Sequence, residues 1–319
     1  MALISLIIAL LVEQLRALPS RNPVYTVLAS WVHAAPHQLN AGRRRHGVLA
    51  WLLLVVAPAL GTAIVFFALA RFSWLLALGF NVLVLYFTLG FRQFSHPATE
   101  IQIALANGDI ETARLELSRW KREEDPSYNA ADLSVDELVR EAIEHGLLLA
   151  QRHVFGVLLW FVLLPGASGA VFYRMAMYVA REWNRPPEGV VVPDRFGEFS
   201  RRAAAWIDWL PARMTALGFA VVGDFEGGLY CWRQVSRRPA VDGMPSPDSR
   251  TLILGTASGA LGVRLMPAAD YALHFDESDS AGLAEPMPQT LRSVVGLVWR
   301  AMLLWLALLA LITVARWVA

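Results

Sequence analysis

The sequence predicts an all-α polytopic membrane protein, on three observations. Composition is the first: 56% of the chain is hydrophobic and only 17% charged, against about 45–50% and about 25% in average soluble domains. Run length is the second. Val48 to Ala70 is 23 residues without a formal charge, roughly 35 Å as a helix at about 1.5 Å per residue. That suffices to cross a hydrocarbon core of roughly 30 Å. Recurrence is the third, since Trp74–Phe91, Val154–Ala180 and Val294–Val314 are further apolar runs. About four transmembrane helices are therefore expected, with membrane-proximal cytoplasmic helices and a broken central helix. The lipid bilayer is the first partner this implies, and a multi-pass position in a bacterial inner (plasma) membrane is the expected location.

Residues 1–47 read as an N-terminal apolar helix followed by a basic lead-in segment. Met1 to Val12 falls short of a full span. It has no basic leader and no small-residue cleavage site, so an uncleaved helix, interfacial or short-spanning, is expected rather than a signal peptide. His33 and His37 stand four apart, but Pro36 lies between them and no carboxylate is near, so ordinary interfacial histidines are expected. Arg16, Arg21, Arg43, Arg44 and Arg45 argue for the cytoplasmic side. Residues 48–91 then form a tight transmembrane hairpin through Arg71-Phe72-Ser73.

Residues 92–153 read as a helical cytoplasmic region. Asn107-Gly108 ends one helix and Asp109 is a fitting N-cap for the next. Ile110, Ala113, Leu117 and Trp120 make a packing stripe on that second helix. A charged linker follows, from Lys121 to Asp132.

Ser134 to Glu182 organises the chain. Ser134 with Glu137 is a capping-box signature. The helix it opens is amphipathic and runs directly into the broken central membrane segment, residues 154–182, interrupted at Pro165-Gly166-Ala167-Ser168-Gly169. Arg174 is the one formal charge from Ala170 to Ala180. A break at membrane depth frees backbone groups, which are tolerated only against protein or a wet cavity. The break is thus the expected floor of any site. A single crossing is the favoured path, and a dip and return stays open. Glu141, Glu144, His145 and His153 are the densest titratable cluster, expected to be a solvated helix face rather than a metal site.

Residues 183–293 form a loop-and-helix region. A helix is expected over Arg195–Phe219, broken at Leu210-Pro211; Gly223–Gly228 and Arg237–Arg250 read as loops. Leu252–Leu265, with Gly255, Gly259 and Gly262, is either a small-residue packing helix or a glycine-rich bend. Phe275–Pro288 is acidic and expected to be mobile. Residues 294–319 form the C-terminal transmembrane helix, with Trp299, Trp305 and Trp317 at its interfaces.

Several function classes drop out. Cys231 is the sole cysteine, so an intramolecular disulfide and a multi-cysteine metal site are excluded. A formal net charge of +1 gives no nucleic-acid signature. Lys121, the only lysine, lies in no glycine-rich loop, so a Walker-type nucleotide site is absent.

Four blocks appear in order: Asn107-Gly108-Asp109-Ile110-Glu111-Thr112-Ala113-Arg114, Arg195-Phe196-Gly197, Trp209-Leu210-Pro211-Ala212-Arg213-Met214-Thr215-Ala216-Leu217 and Ser258-Gly259-Ala260-Leu261-Gly262-Val263-Arg264-Leu265. In this the chain resembles the CobD/CbiB superfamily of membrane proteins over most of its length beyond about Leu85. That group holds the adenosylcobinamide-phosphate synthases of the cobalamin pathway and AmpE, an inner-membrane protein linked to β-lactamase regulation. Arg152–Gly156 and Val222–Phe225 look closer to AmpE.

Departures from the synthase pattern shape the functional expectation. Leu147–His153 stands where the synthases carry a polar Glu-Asn-Thr-Ser-Asp-Gly block. Met177, Tyr178, Val179, Ala180 and Arg181 replace their Asn-Thr-Leu-Asp-Ser, and Pro247–Thr251 replaces Pro-Asn-Ala-Gly-Trp. Ala204 and Ala205 replace a paired aspartate, and Asp208 replaces an Asn. Amide formation driven by ATP needs carboxylates for metal-bound phosphates and polar groups for an acyl phosphate. Their loss implies a non-catalytic, AmpE-like ligand-binding or signalling modulator linked to envelope and β-lactamase regulation, which needs no cofactor. The alternative is an adenosylcobinamide-phosphate synthase-type amide ligase using ATP and magnesium, and a purely structural docking partner is a third reading. Under the leading reading Tyr173, Arg174, Arg202, Asp208, Arg213, Asp224 and Arg264 line a pocket for an anionic small molecule. No metal ligands are assigned, and a homo-oligomer is left open.

Overall fold

The computed structural model of the protein describes residues 1–15, 23–39, 44–185, 195–237, 244–275 and 282–318. Arg16, Arg21 and Arg43, the Pro186-Pro187 loop and most of the acidic stretch after Phe275 lie outside these residues. Among the described residues the chain is helical, with no strand and an isolated parallel bridge between Val263 and Ala284. Three helices, Arg45–Phe72, Val135–Leu163 and Pro288–Ala315, are long and apolar enough to cross a membrane. Ala2–Leu15 and Trp74–Thr88 are shorter apolar helices. This is an all-α membrane protein. The second long helix starts at the Ser134 cap and runs on into the apolar segment, as its sequence leads one to expect. It passes Arg152 and His153 in a π turn at Gln151–Phe155.

Contacts sort the chain into two units. The first comprises Met1–Gly90 and Arg152–Leu210. It begins with α1 (Ala2–Leu15), α2 (Pro23–Leu39), α3 (Arg44–Trp51), α4 (Ala57–Phe72) and α5 (Trp74–Thr88). A π turn at Leu52–Val56 joins α3 to α4, with the Ala57 N–H donating to the Leu52 carbonyl. Pro58 follows at once, and its missing N–H leaves the Leu54 carbonyl without an α-helical donor. Ser73 separates α4 from α5 and caps α5 by accepting from the Leu75 N–H. Later in the chain come α9 (Gly156–Leu163), α10 (Ser168–Trp183) and the first part of α11 (Arg195–Val222). Val32, Trp51, Val55, Met175, Val179, Trp183 and Phe196 form the core here. The Trp183 indole N–H donates to the Val32 carbonyl at 3.0 Å, so the ring is buried without an orphaned donor.

The second unit comprises Phe91–Gln151 and Pro211–Ala319. Its helices are α6 (Phe91–Ala106), α7 (Ile110–Arg122), α8 (Val135–Ala150), the rest of α11, then α12 (Phe225–Val235), α13 (Ser249–Leu261), α14 (Ala268–His274) and α15 (Pro288–Val318). Gly108 turns the chain at φ +75°, and Asp109 caps α7 through the Thr112 N–H. Both halves of the Ser134–Glu137 capping box form at the start of α8. The glycine-rich Gly223–Gly228 stretch, expected as a loop, instead opens α12 under an Asp224 cap. Its glycines serve packing: a Cβ at Gly259 would lie 2.0 Å from the Gly227 carbonyl oxygen, so the backbones of α12 and α13 touch. The expected Leu252–Leu265 stretch accordingly gives a packing helix, α13, that ends at Leu261 and is stopped by Gly262 at φ +68°.

Candidate functional site

The break after Leu163 reverses the chain. Gly166 takes φ +58°, and Ser168 Oγ donates to the Pro165 carbonyl at 2.7 Å. Gly169 lies against the Trp160 backbone, and Gly156 lies against Tyr173. These two contacts are spaced evenly about the turn, which makes α9 and α10 an antiparallel hairpin. The stretch therefore folds back on itself, so Val154–Ala180 is not one straight helix. Both contacts require glycine. A Cβ at Gly169 would sit 1.8 Å from the Trp160 carbonyl oxygen, and one at Gly156 would sit 2.1 Å from Tyr173 Cζ.

Tyr173 fills the space Gly156 leaves and is fully buried. Its hydroxyl donates to Asp208 Oδ1 at 2.6 Å, and Asp208 on α11 is itself buried. A buried carboxylate is strongly penalised unless bonded and balanced by charge. Here the phenol supplies a bond, while Arg152 from the π turn and Arg174 from α10 both act electrostatically on the Tyr173 hydroxyl. A wider-than-α turn at this depth re-aims side chains toward the inside of a bundle, and such turns recur at functional sites.

A helix was expected to break at Leu210-Pro211, yet α11 continues through it from Arg195 to Val222. Pro211 has no N–H, so the Ile207 carbonyl loses its intrahelical donor. The Trp160 indole N–H takes that place, donating to the Ile207 oxygen at 3.2 Å. Sequence reading placed the proline correctly but had no means of locating the substitute donor 47 residues away.

The other expected pocket residues are placed as follows. Arg202 pairs with Glu198 at 2.8 Å on α11. Arg213 donates to the Ser246 carbonyl at 3.1 Å. Asp224 caps α12, and Arg264 pairs with Glu285 at 3.1 Å. Tyr173, Arg174, Arg202 and Asp208 thus belong to the first unit, and Arg213, Asp224 and Arg264 to the second. Arg152, Gly156 and Trp160 were not among the pocket residues expected from sequence.

The titratable cluster on α8 is largely engaged. Glu141 accepts from Lys121 at 2.6 Å and from the Tyr128 hydroxyl. Burial, then Glu141, push the Tyr128 phenol well above its ordinary value. Glu144 takes a bidentate bond from Arg250, which also reaches Asp270 at 2.9 Å. His145 stacks edge-on against Trp120 at 4.8 Å. Among the described residues no three His, Cys, Asp or Glu side chains converge as a metal site would need. Magnesium bound through substrate phosphates needs only one or two carboxylates, so this donor set leaves that mode open.

An all-α membrane protein with a Tyr on a reversed hairpin bonded to a buried Asp is the class these features define. The CobD/Cbib protein family profile matches residues 4–298, and the chain belongs to that family. It is 33% identical over 310 residues to the cobalamin biosynthesis protein CobD of Chromobacterium violaceum, covering 94% of this chain and 93% of the relative. CobD of Stutzerimonas stutzeri is 30% identical over 312 residues, with 96% of each chain covered. CobD of Pelobacter propionicus is 25% identical over 285 residues, 88% of this chain and 83% of the relative. No solved structure matches the chain.

These relatives overturn the expectation of a non-catalytic, AmpE-like modulator; all three are named for cobalamin biosynthesis. The error has a physical source. The departures were weighed as lost ligands, but Met177 and Tyr178 pack on the core of the first unit, Val179 is part of it, and Ala204 is buried. Apolar residues at such places change packing without emptying a site. The polar pair that remains, Tyr173 with Asp208, joins two of the residues expected from sequence to line the pocket.

Proposed function

We propose that this chain is an inner-membrane, multi-pass enzyme of cobalamin biosynthesis that forms an amide between a corrinoid carboxylate and an aminopropanol phosphate, driven by ATP. The observation that carries the reading is near-full-length similarity to proteins named CobD. A buried Tyr173–Asp208 pair influenced by two arginines is consistent with it. The corrinoid carboxylate oxygen would attack the terminal phosphorus of ATP, releasing ADP and giving an acyl phosphate. The amine nitrogen would then add to the acyl carbon, expel phosphate and lose a proton. Magnesium, carried in on the nucleotide, supplies charge neutralisation at the phosphates.

Arg152 and Arg174 are the groups we assign to the anionic part of the substrates, by planar guanidinium recognition. Asp208, aligned by Tyr173, is assigned to the ammonium of the incoming amine, holding it by charge and accepting the proton it must lose before the nitrogen adds. Arg202, in the same unit, is kept as a secondary candidate for a contact with the large corrinoid, and Arg213, Asp224 and Arg264 of the second unit are assigned no part in it. The experiment is a clean deletion in a cobalamin-producing host, with intracellular corrinoids resolved by mass spectrometry. Accumulation of the corrinoid acid, reversed by the wild-type chain but not by Asp208→Asn, is expected. Unchanged corrinoid pools in the deletion strain reject the reading.

A further inference from the structure

We propose that Trp160 is a positioning residue for Asp208: its indole N–H stands in for the helix hydrogen bond that Pro211 removes at Ile207. Three observations meet here. α11 runs unbroken through Pro211, although the ring deletes the donor that Ile207 needs. The Trp160 Nε1–H donates to that same carbonyl at 3.2 Å. Asp208, the adjacent residue, is held by Tyr173 at 2.6 Å from the other arm of the same hairpin.

The hairpin therefore grips two consecutive residues of α11, one by backbone and one by side chain. Neither arm is free to slide, because Gly169 meets the Trp160 backbone and Gly156 meets the Tyr173 ring without room for a methyl group. A carbonyl freed by proline is a fixed acceptor that turns toward any donor it can reach, and in an apolar surround an unmet one is costly. The proline notch and the indole thus form a matched pair that sets where the Asp208 carboxylate stands. Trp160 also meets Phe172 edge-on at 5.1 Å, which fixes the ring plane.

The inference rests on the ligase reading only for its activity readout. The experiment is a double-mutant cycle of Trp160→Phe and Pro211→Ala in the full-length protein, purified in detergent. Both amide formation and the thermal midpoint of unfolding are measured. Trp160→Phe keeps a ring but loses the donor. We expect about a tenfold fall in kcat with KM changed by less than about twofold, and a lower midpoint. Pro211→Ala restores an N–H to position 211, so Trp160→Phe should then have little effect in that background. A Trp160 that matters only as packing volume would cost the same in both backgrounds, and that additive result overturns the proposal. If Trp160→Phe fails to fold, recovery of folded protein in the double variant supports it. Failure of the double variant where Pro211→Ala alone folds overturns it. Should the wild type form no amide, the ligase reading fails, and the thermal cycle still decides the role of Trp160.

Discussion

Tyr173 and Asp208 stand 35 positions apart in sequence and 2.6 Å apart in space. Removing the phenol hydroxyl in Tyr173→Phe strips a donor from a buried carboxylate. The expected loss is about 2 kcal/mol of stability, read as a lower unfolding midpoint, and a smaller loss when Asp208→Asn is already present. Additive losses would show that the two do not depend on one another. Tyr271 makes a titration prediction. Burial is the main cause that pushes its phenol up to about 12. A raised folded-state value means the stabilisation is complete below the ordinary tyrosine value of about 10 and fades as pH climbs toward about 12. Monitoring unfolding between those limits should show stability falling, with the decline reduced in Tyr271→Phe. These residue-scale facts were only partly visible in sequence. The capping residues Asp109 and Ser134 could be read directly, because a cap needs only neighbours along the chain. The Tyr173–Asp208 bond needs the fold, and so do the ion pairs of Arg250 with Glu144 and Asp270.

At the scale of elements, the α9–α10 hairpin is the piece on which most depends. Its break at Pro165-Gly166 was legible from composition, but its direction was not. The reversal is set by Gly166 at φ +58° and by two glycines whose partners lie on the opposite arm. Gly169→Ala should be the more damaging of the two substitutions, since its Cβ would strike a backbone carbonyl that cannot move aside. Overpacking of this kind costs about 1–3 kcal/mol or more. Gly61→Ala is the control, with nothing within 4 Å of its added methyl. Equal midpoints for all three proteins would contradict the hairpin packing. The continuity of α11 carries a related lesson. Proline is a breaker in sequence reading because the reader sees the lost donor, and here the replacement donor comes from another helix.

For the whole molecule, hydropathy marked the membrane class, and the motif blocks marked the family. Function was misjudged because substitutions outside those blocks were taken as removed chemistry, when Met177, Tyr178 and Val179 pack in the core of the first unit. Membership of the CobD/CbiB family brings back the catalytic reading, and that reading makes a definite demand. Purified full-length protein should be supplied with corrinoid acid, aminopropanol phosphate, ATP and magnesium, and the amide and ADP quantified together. The account predicts amide and ADP in equal amounts, and a fall of at least about tenfold in both for Asp208→Asn. No amide from well-folded wild-type protein, or an Asp208→Asn variant as active as the wild type, would contradict it.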